Sequence, residues 1–199
     1  MHELLVATHN RGKLREYRDL LPDWHILSLR DVGLGGFEVV ETASTFHENA
    51  LLKARGYGRA SGLLTLADDS GLVVDVLDGA PGVYSARYGG AGLDDGGRRR
   101  YLLEQLRGVP LEQRRARFVC VTVLYDPARD VWAQAEGVCE GLVLPEERDE
   151  GQGFGYDPLF QPDGYALSFG QLPAEVKHAI SHRGRAAAQI PALLKQLGF

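Results

Sequence analysis

The sequence predicts an α/β fold in which a mixed central sheet is flanked by helices and two lobes enclose a cleft. Three observations carry that prediction. The chain opens on a strand, a tight polar turn and a helix, "ELLVATHNRGKLREYRDLL", the start expected of an α/β protein. Strand-like and helix-like runs then mix without strict alternation, which points to a mixed sheet rather than a purely parallel one. Two long runs of high β propensity, "ARFVCVTVLYD" and "VWAQAEGVCEGLVLP", are joined only by "PARD", so they form a long hairpin suited to building a second lobe. With 199 residues, 44% of them hydrophobic, the chain can bury one substantial core, and residues 1–199 are read as a single bilobed domain.

In the opening unit Leu14, Tyr17, Leu20 and Leu21 share one helix face. A second helix starts at Thr45, whose hydroxyl stands three residues before Glu48 in the capping-box pattern, and it closes at Gly62. Beyond it "LLTLADD" and "LVVDVL" read as two strands separated by the turn dipeptide "SG", followed by the glycine- and proline-punctuated "DGAPGVYSARYGG". Residues 94–107 read as a helix. After the hairpin and the glycine-rich "EGQGFGYDPLF", the segments "PAEVKHAI" and "SHRGRAAAQIPALLKQL" are helical, with Pro191 kinking or restarting the last helix.

Composition narrows the function. A net charge of -5 argues against a nucleic-acid binder, which needs a basic stripe. No apolar run approaches the ~18 residues of a membrane span, and the opening strand is far too short for a signal peptide. The expectation is a cytoplasmic protein with no membrane partner. Cys120 and Cys139 have no second ligand pair and read as buried thiols in strands. Lysine occurs only at 13, 53, 177 and 195, which draws attention to each.

Four groups could carry chemistry. "THNRGK", residues 8–13, places a hydroxyl, an amide, a glycine and an ammonium at a helix start, the parts of a polyphosphate cradle without the Walker spacing; the alternative is Asn10 as a simple cap and Lys13 in solvent. Asp68 and Asp69 end an apolar run, where burial demands a charge partner. A hard divalent cation such as magnesium is one such partner, with Glu41 as a further carboxylate; the alternative has one aspartate capping the turn and the other pairing with an arginine. "GFGYDP", residues 153–158, carries rings that could stack on a nucleobase or anchor the turn in the core. "SHRGRA", residues 181–186, offers the donors of His182 and Arg183 near a helix start, with Lys177 close by in sequence.

In order and content, "THNRGK", "ETASTFHENALLKA", "LADDSGLVVDVLDGAPGVYSARYGG", "GFGYDP" and "SHRGRA" resemble the consecutive motifs of the Ham1/inosine triphosphate pyrophosphatase family, from about Leu4 to Ala187. The resemblance implies an ITPase-like fold, a homodimer, and hydrolysis of non-canonical purine nucleoside triphosphates (dITP/ITP, XTP/dXTP) to the monophosphate and pyrophosphate. It implies Mg2+ as cofactor, with Mn2+ as a substitute. By matched position, Thr8, His9, Asn10, Arg11, Gly12 and Lys13 would hold the phosphates, Asp69 would be general base and metal ligand, and Ser70 would touch substrate. Phe154, Gly155, Tyr156 and Asp157 match a nucleoside loop, Lys177 a substrate-contacting lysine, and His182 with Arg183 a base-reading pair. Glu41 matches a metal-associated acid, with Asp68 and Lys53 in support. His9 and Val40 depart from the pattern, where relatives often carry a small residue and some a further acid.

Cleaving between the α- and β-phosphates builds charge on the leaving pyrophosphate, so the site needs a cation, fixed donors and a carboxylate that orients water. The motifs supply all three. Two competing readings are a pyrophosphatase for other modified or pyrimidine nucleotides and a non-catalytic nucleotide-binding module.

Overall fold

Side-chain alternation along the first strand sets the layering. The computed structural model describes residues 2–90, 92–151 and 153–199. Strand β1 (His2–Val6) pairs in parallel with β2 (Trp24–Ser28) and β3 (Thr65–Val74). Leu4 and Val6 face one side of the sheet, Leu5 and Ala7 the other, and all four are buried. The first side packs against Tyr17 of α1 (Arg11–Leu20) and Ile190, Leu193 and Leu194 of α6 (Ile190–Gln196). The second packs against Ala50, Ala54 and Tyr57 of α2 (Phe46–Ser61). Covering both faces is what an apolar parallel strand requires.

The sheet continues through β4 (Arg115–Asp126), β5 (Val131–Val143) and β6 (Phe160–Pro162) in the order β2-β1-β3-β4-β5-β6, with β6 antiparallel to β5. The remaining helices are α3 (Asp95–Gln105), α4 (Ala174–Ile180) and α5 (His182–Ala187). Pro191 stands at the start of α6, so the last helix is restarted as expected. Both cysteines are free and buried, and among the described residues no helix is long and apolar enough to cross a membrane.

The chain divides into two compact units. Unit 1 comprises Met1–Asp69, Cys120–Gly137 and Arg183–Phe199, and holds the two layers described above. Unit 2 comprises Ser70–Val119 and Val138–His182, and its own core gathers Leu72, Val74, Leu102, Phe118, Phe160 and Phe169.

Two expectations are corrected. Residues 63–77 do not form two strands about a Ser-Gly turn: β3 runs unbroken through Ser70 and Gly71. Residues on both sides are buried, Leu66 and Ala67 in unit 1 and Leu72 and Val74 in unit 2, so each end of the strand is held extended by a core of its own. The long hairpin does not make a separate lobe either. Strands β4 and β5 each contribute to both units, because their apolar pattern continues over their full 12 and 13 residues. Strands β2 and β6, with five and three residues, lacked a periodic signal long enough to read.

Candidate active site

The turn after β1 is built around Asn10. Its Oδ1 caps α1 by accepting from the backbone N–H of Gly12 (2.8 Å) and Lys13 (3.1 Å), while its own N–H donates to Thr8 Oγ1 (3.1 Å). The capping alternative is therefore correct for Asn10, but Lys13 is not left in solvent: its ammonium lies 3.0 Å from Asp68 Oδ2. His9 Nε2 shares a hydrogen bond with Tyr57 Oη (3.0 Å), and Arg11 is exposed on the first turn of α1.

Because β3 is a continuous strand, consecutive side chains point to opposite faces, and the adjacent carboxylates have different surroundings. Asp68 follows Leu66 onto the α1 side. There Lys13 and Arg183 Nη2 (3.2 Å) meet its Oδ2, Cys120 Sγ donates weakly to the same oxygen, and Arg183 Nη1 is held by Glu16. Asp68 Oδ1 is buried with no hydrogen-bond partner among the described residues. Asp69 follows Ala67 onto the α2 side, where Lys53 Nζ (3.2 Å) and Asn49 Nδ2 (3.3 Å) each donate to one of its oxygens. Lys53 also lies 3.4 Å from Glu41 Oε2.

These partners set the charge states. Burial raises the Asp68 carboxyl, but Lys13, Arg183 and Lys53 outweigh it and hold the group well below the usual aspartate range. For Asp69 burial wins: Lys53 and Lys13 pull downward, Glu41 and Asp68 push upward, and the net shift is upward. Lys53 is disfavoured as a cation by burial, yet Asp69 and Glu41 more than offset this and raise it. Burial, helped by Asp68, pushes the Cys120 thiol up to about 12, so it is a packing group rather than a nucleophile.

A depressed acid stabilises the fold above its unfolded pKa, and that contribution disappears as the pH falls toward its folded value. Asp68 therefore contributes fully above about pH 4. In urea titrations Asp68→Asn is expected to be markedly less stable than the parent at pH 7, with the gap narrowing as the pH drops below about 4.

The nucleoside-loop motif lies in unit 2. Asp157 is buried, and its Oδ2 accepts from the Phe154 N–H (2.8 Å) and from Lys177 Nζ (2.7 Å). The loop closes this tightly because residue 153 is glycine: a Cβ there would stand 2.5 Å from Asp157 Cβ. The Lys177 ammonium lies 5.1 Å from the centre of the Phe154 ring. Phe154 is half-buried, whereas Tyr156 is sunk in the core and its hydroxyl donates to Ser85 O (2.9 Å). Tyr156 is thus the anchor and Phe154 the more accessible ring. His182 is buried and stacks on Phe118 at 4.6 Å with 10° between the planes. Its neighbour Arg183 belongs to unit 1. Ser70, the residue after Asp69, is half-buried in β3.

The donor set of unit 1 suits a hard divalent cation. Among the described residues there is no cluster of three or more His, Cys, Asp or Glu side chains arranged as a metal cage. Asp69 and Glu41 nevertheless converge on one ammonium, two carboxylates aimed at a single positive charge. Magnesium is typically held in this way, by one or two carboxylates with phosphate oxygens and water completing the shell.

Sequence reasoning missed four residues that organise these groups. Glu16 shares a helix face with Lys13 at i, i+3, and Asn49 shares one with Lys53 at i, i+4, so both spacings were readable once the partner lysine was singled out. Asp95 and Arg99 both bind Gly155, and no local pattern connects positions so far apart in sequence.

The Ham1 family profile matches residues 4–193. A dITP/XTP pyrophosphatase of Desulforamulus reducens is 45% identical over 197 residues, covering 98% of this chain and 96% of the relative. One of Geobacter sulfurreducens is 47% identical, covering 94% of each. A HAM1 protein of Coxiella burnetii superimposes with a TM-score of 0.86 at 38% identity, covering 98% of this chain and all of that one. Profile, full-length relatives and fold agree, and the chain belongs to the Ham1 family.

Proposed function

We propose that the protein hydrolyses dITP, ITP, XTP and dXTP to the nucleoside monophosphate and pyrophosphate, removing deaminated purine nucleotides from the precursor pool. The observation that carries this reading is Asp69: a buried carboxylate oriented by Lys53 and Asn49, one residue from an acid that is paired to the lysine of the phosphate-type turn. A carboxylate aligned by two donors is suited to orienting a water and accepting its proton as that water attacks the α-phosphorus. Relatives of this chain over nearly its full length are named for the same activity.

In this reading the residues divide by task. Thr8, Asn10 and Gly12 shape the N-terminus of α1, whose partial positive charge and Lys13 receive phosphate oxygens. Asp69 and Glu41 would hold Mg2+, which supplies charge neutralisation at the phosphates when bound. Phe154 offers its face to the purine, with Lys177 and Asp157 behind it. A hypoxanthine or xanthine C6 oxygen accepts from a donor in the 182–183 segment, whereas adenine would leave that donor unpaired, a mismatch worth about 10⁴ in discrimination. The resemblance also supports assembly as a homodimer.

Product analysis tests the reading. With Mg2+, dITP is expected to yield dIMP and pyrophosphate, with dATP turned over far more slowly. Release of orthophosphate and a diphosphate would refute the cleavage site, a preference for pyrimidine triphosphates would refute the substrate class, and tight binding without product would refute catalysis.

A further inference from the structure

We propose that Asp95 and Arg99 are positioning residues for the purine subsite, acting through the backbone of Gly155. The inference rests on the reading that residues 153–157 receive the nucleoside. Helix α3 starts from a firm base: Asp94 caps it by accepting from the Gly97 N–H (2.7 Å), and Leu102 and the following Leu106 are fully buried in the core of unit 2. Asp95 and Arg99 stand one turn apart on this helix. Asp95 Oδ2 accepts from the Gly155 N–H (3.0 Å), and Arg99 Nη1 donates to the Gly155 carbonyl (2.8 Å). Arg99 is held in turn by Glu147, 3.0 Å from its Nε, and the other Asp95 oxygen accepts from Arg98.

One residue of the loop thus has both its backbone groups captured by charged side chains of one helix. The N–H lies in the peptide plane shared with Phe154 and the carbonyl in the plane shared with Tyr156. Gly155 has a φ of 60°, a left-handed conformation that glycine adopts without steric cost. Fixing both planes there sets the direction in which the chain enters and leaves the turn. Tyr156 is already anchored through Ser85, and Asp157 already holds the Phe154 N–H. The clamp on Gly155 completes the set, and the Phe154 ring is held for a base before one arrives.

The clamp touches the loop and none of the phosphate-type residues, so its loss should act on nucleoside binding alone. In Arg99→Ala and Asp95→Ala, KM for dITP is expected to rise about tenfold while kcat stays within about threefold of the parent. The inhibition constant of IMP should rise in parallel, and that of inorganic pyrophosphate, which has no base, should stay unchanged. Asp95→Asn keeps an acceptor for the Gly155 N–H and should restore KM to near the parent value. Arg100→Ala, on the exposed part of the same helix, should behave like the parent. Asp95 is half-exposed, so Asp95→Ala reports on the clamp even where Arg99→Ala disturbs folding. Phe154→Ala separates the two levels of the argument. If it raises KM and weakens IMP while Arg99→Ala and Asp95→Ala match the parent, the clamp is overturned and the loop reading stands. If Phe154→Ala leaves IMP binding unchanged, the loop reading fails and the clamp fails with it.

Discussion

Replacing Asp69 by asparagine is expected to lower kcat for dITP by about 10³-fold, within the range for losing a general base, with the fold little changed. Asp69 is an acid whose environment favours the protonated form, with Glu41 and Asp68 adding to that tendency and Lys53 opposing it. Asparagine keeps the shape and keeps an oxygen for Lys53 but cannot take a proton from water. It also relieves the repulsion from Glu41, so the melting temperature should stay within about 3 °C of the parent, a shift of roughly 1 kcal/mol for a chain of this size. Steady-state pyrophosphate release and a thermal melt measure the two quantities side by side. An unchanged kcat would remove Asp69 from the chemistry.

Truncating Arg183 to alanine is expected to be the most destabilising single change in unit 1. The guanidinium is 2% exposed, pairs with Glu16 through Nη1 and with Asp68 through Nη2, and stands 6.0 Å over the Tyr17 ring. Removing it takes the guanidinium from two buried carboxylates at once and leaves Asp68 its contact with Lys13. Breaking a buried pair from one side costs about 3–5 kcal/mol, which at this chain length lowers the melting temperature by about 10 °C. Arg183→Lys keeps the charge, but a single ammonium does not span both carboxylates, so it should recover less than half of the loss. Urea midpoints at pH 7 give the numbers. A variant that kept its stability and lost only purine selectivity would instead favour the base-reading role that the family resemblance implies for this residue.

Much of the frame was legible in sequence because its signals are local. The strand, turn and helix of residues 3–21, the Thr45 cap, the helix near 94–107 and the long hairpin all follow from periodicity and capping within a few residues. The error at Ser70-Gly71 came from reading a turn dipeptide without knowing that both flanks were buried. Period two separates Asp68 from Asp69 in either reading, but the partners on each face, Lys13 and Arg183 for one and Lys53 and Asn49 for the other, come from other elements and are not carried by the local pattern. For "GFGYDP" the composition identified the loop, but only packing distinguishes the sunken Tyr156 from the half-buried Phe154. The partners of Gly155 lie sixty and fifty-six residues away, beyond any sequence window.

The placement of two acids back to back on β3 also bears on how the chain finds its native pairing. Sliding the strand by one position against β1 lets only one carboxylate take the other's place: the second is carried to the site of Ala67, in the apolar layer against α2, or to that of Ser70, away from the cation that held it. Apolar residues tolerate such a slip at modest cost, but ionised groups stripped of their counter-charges do not. The acids therefore act as a proofreading mark on strand alignment, penalising the misthreaded sheet before any nucleotide is met.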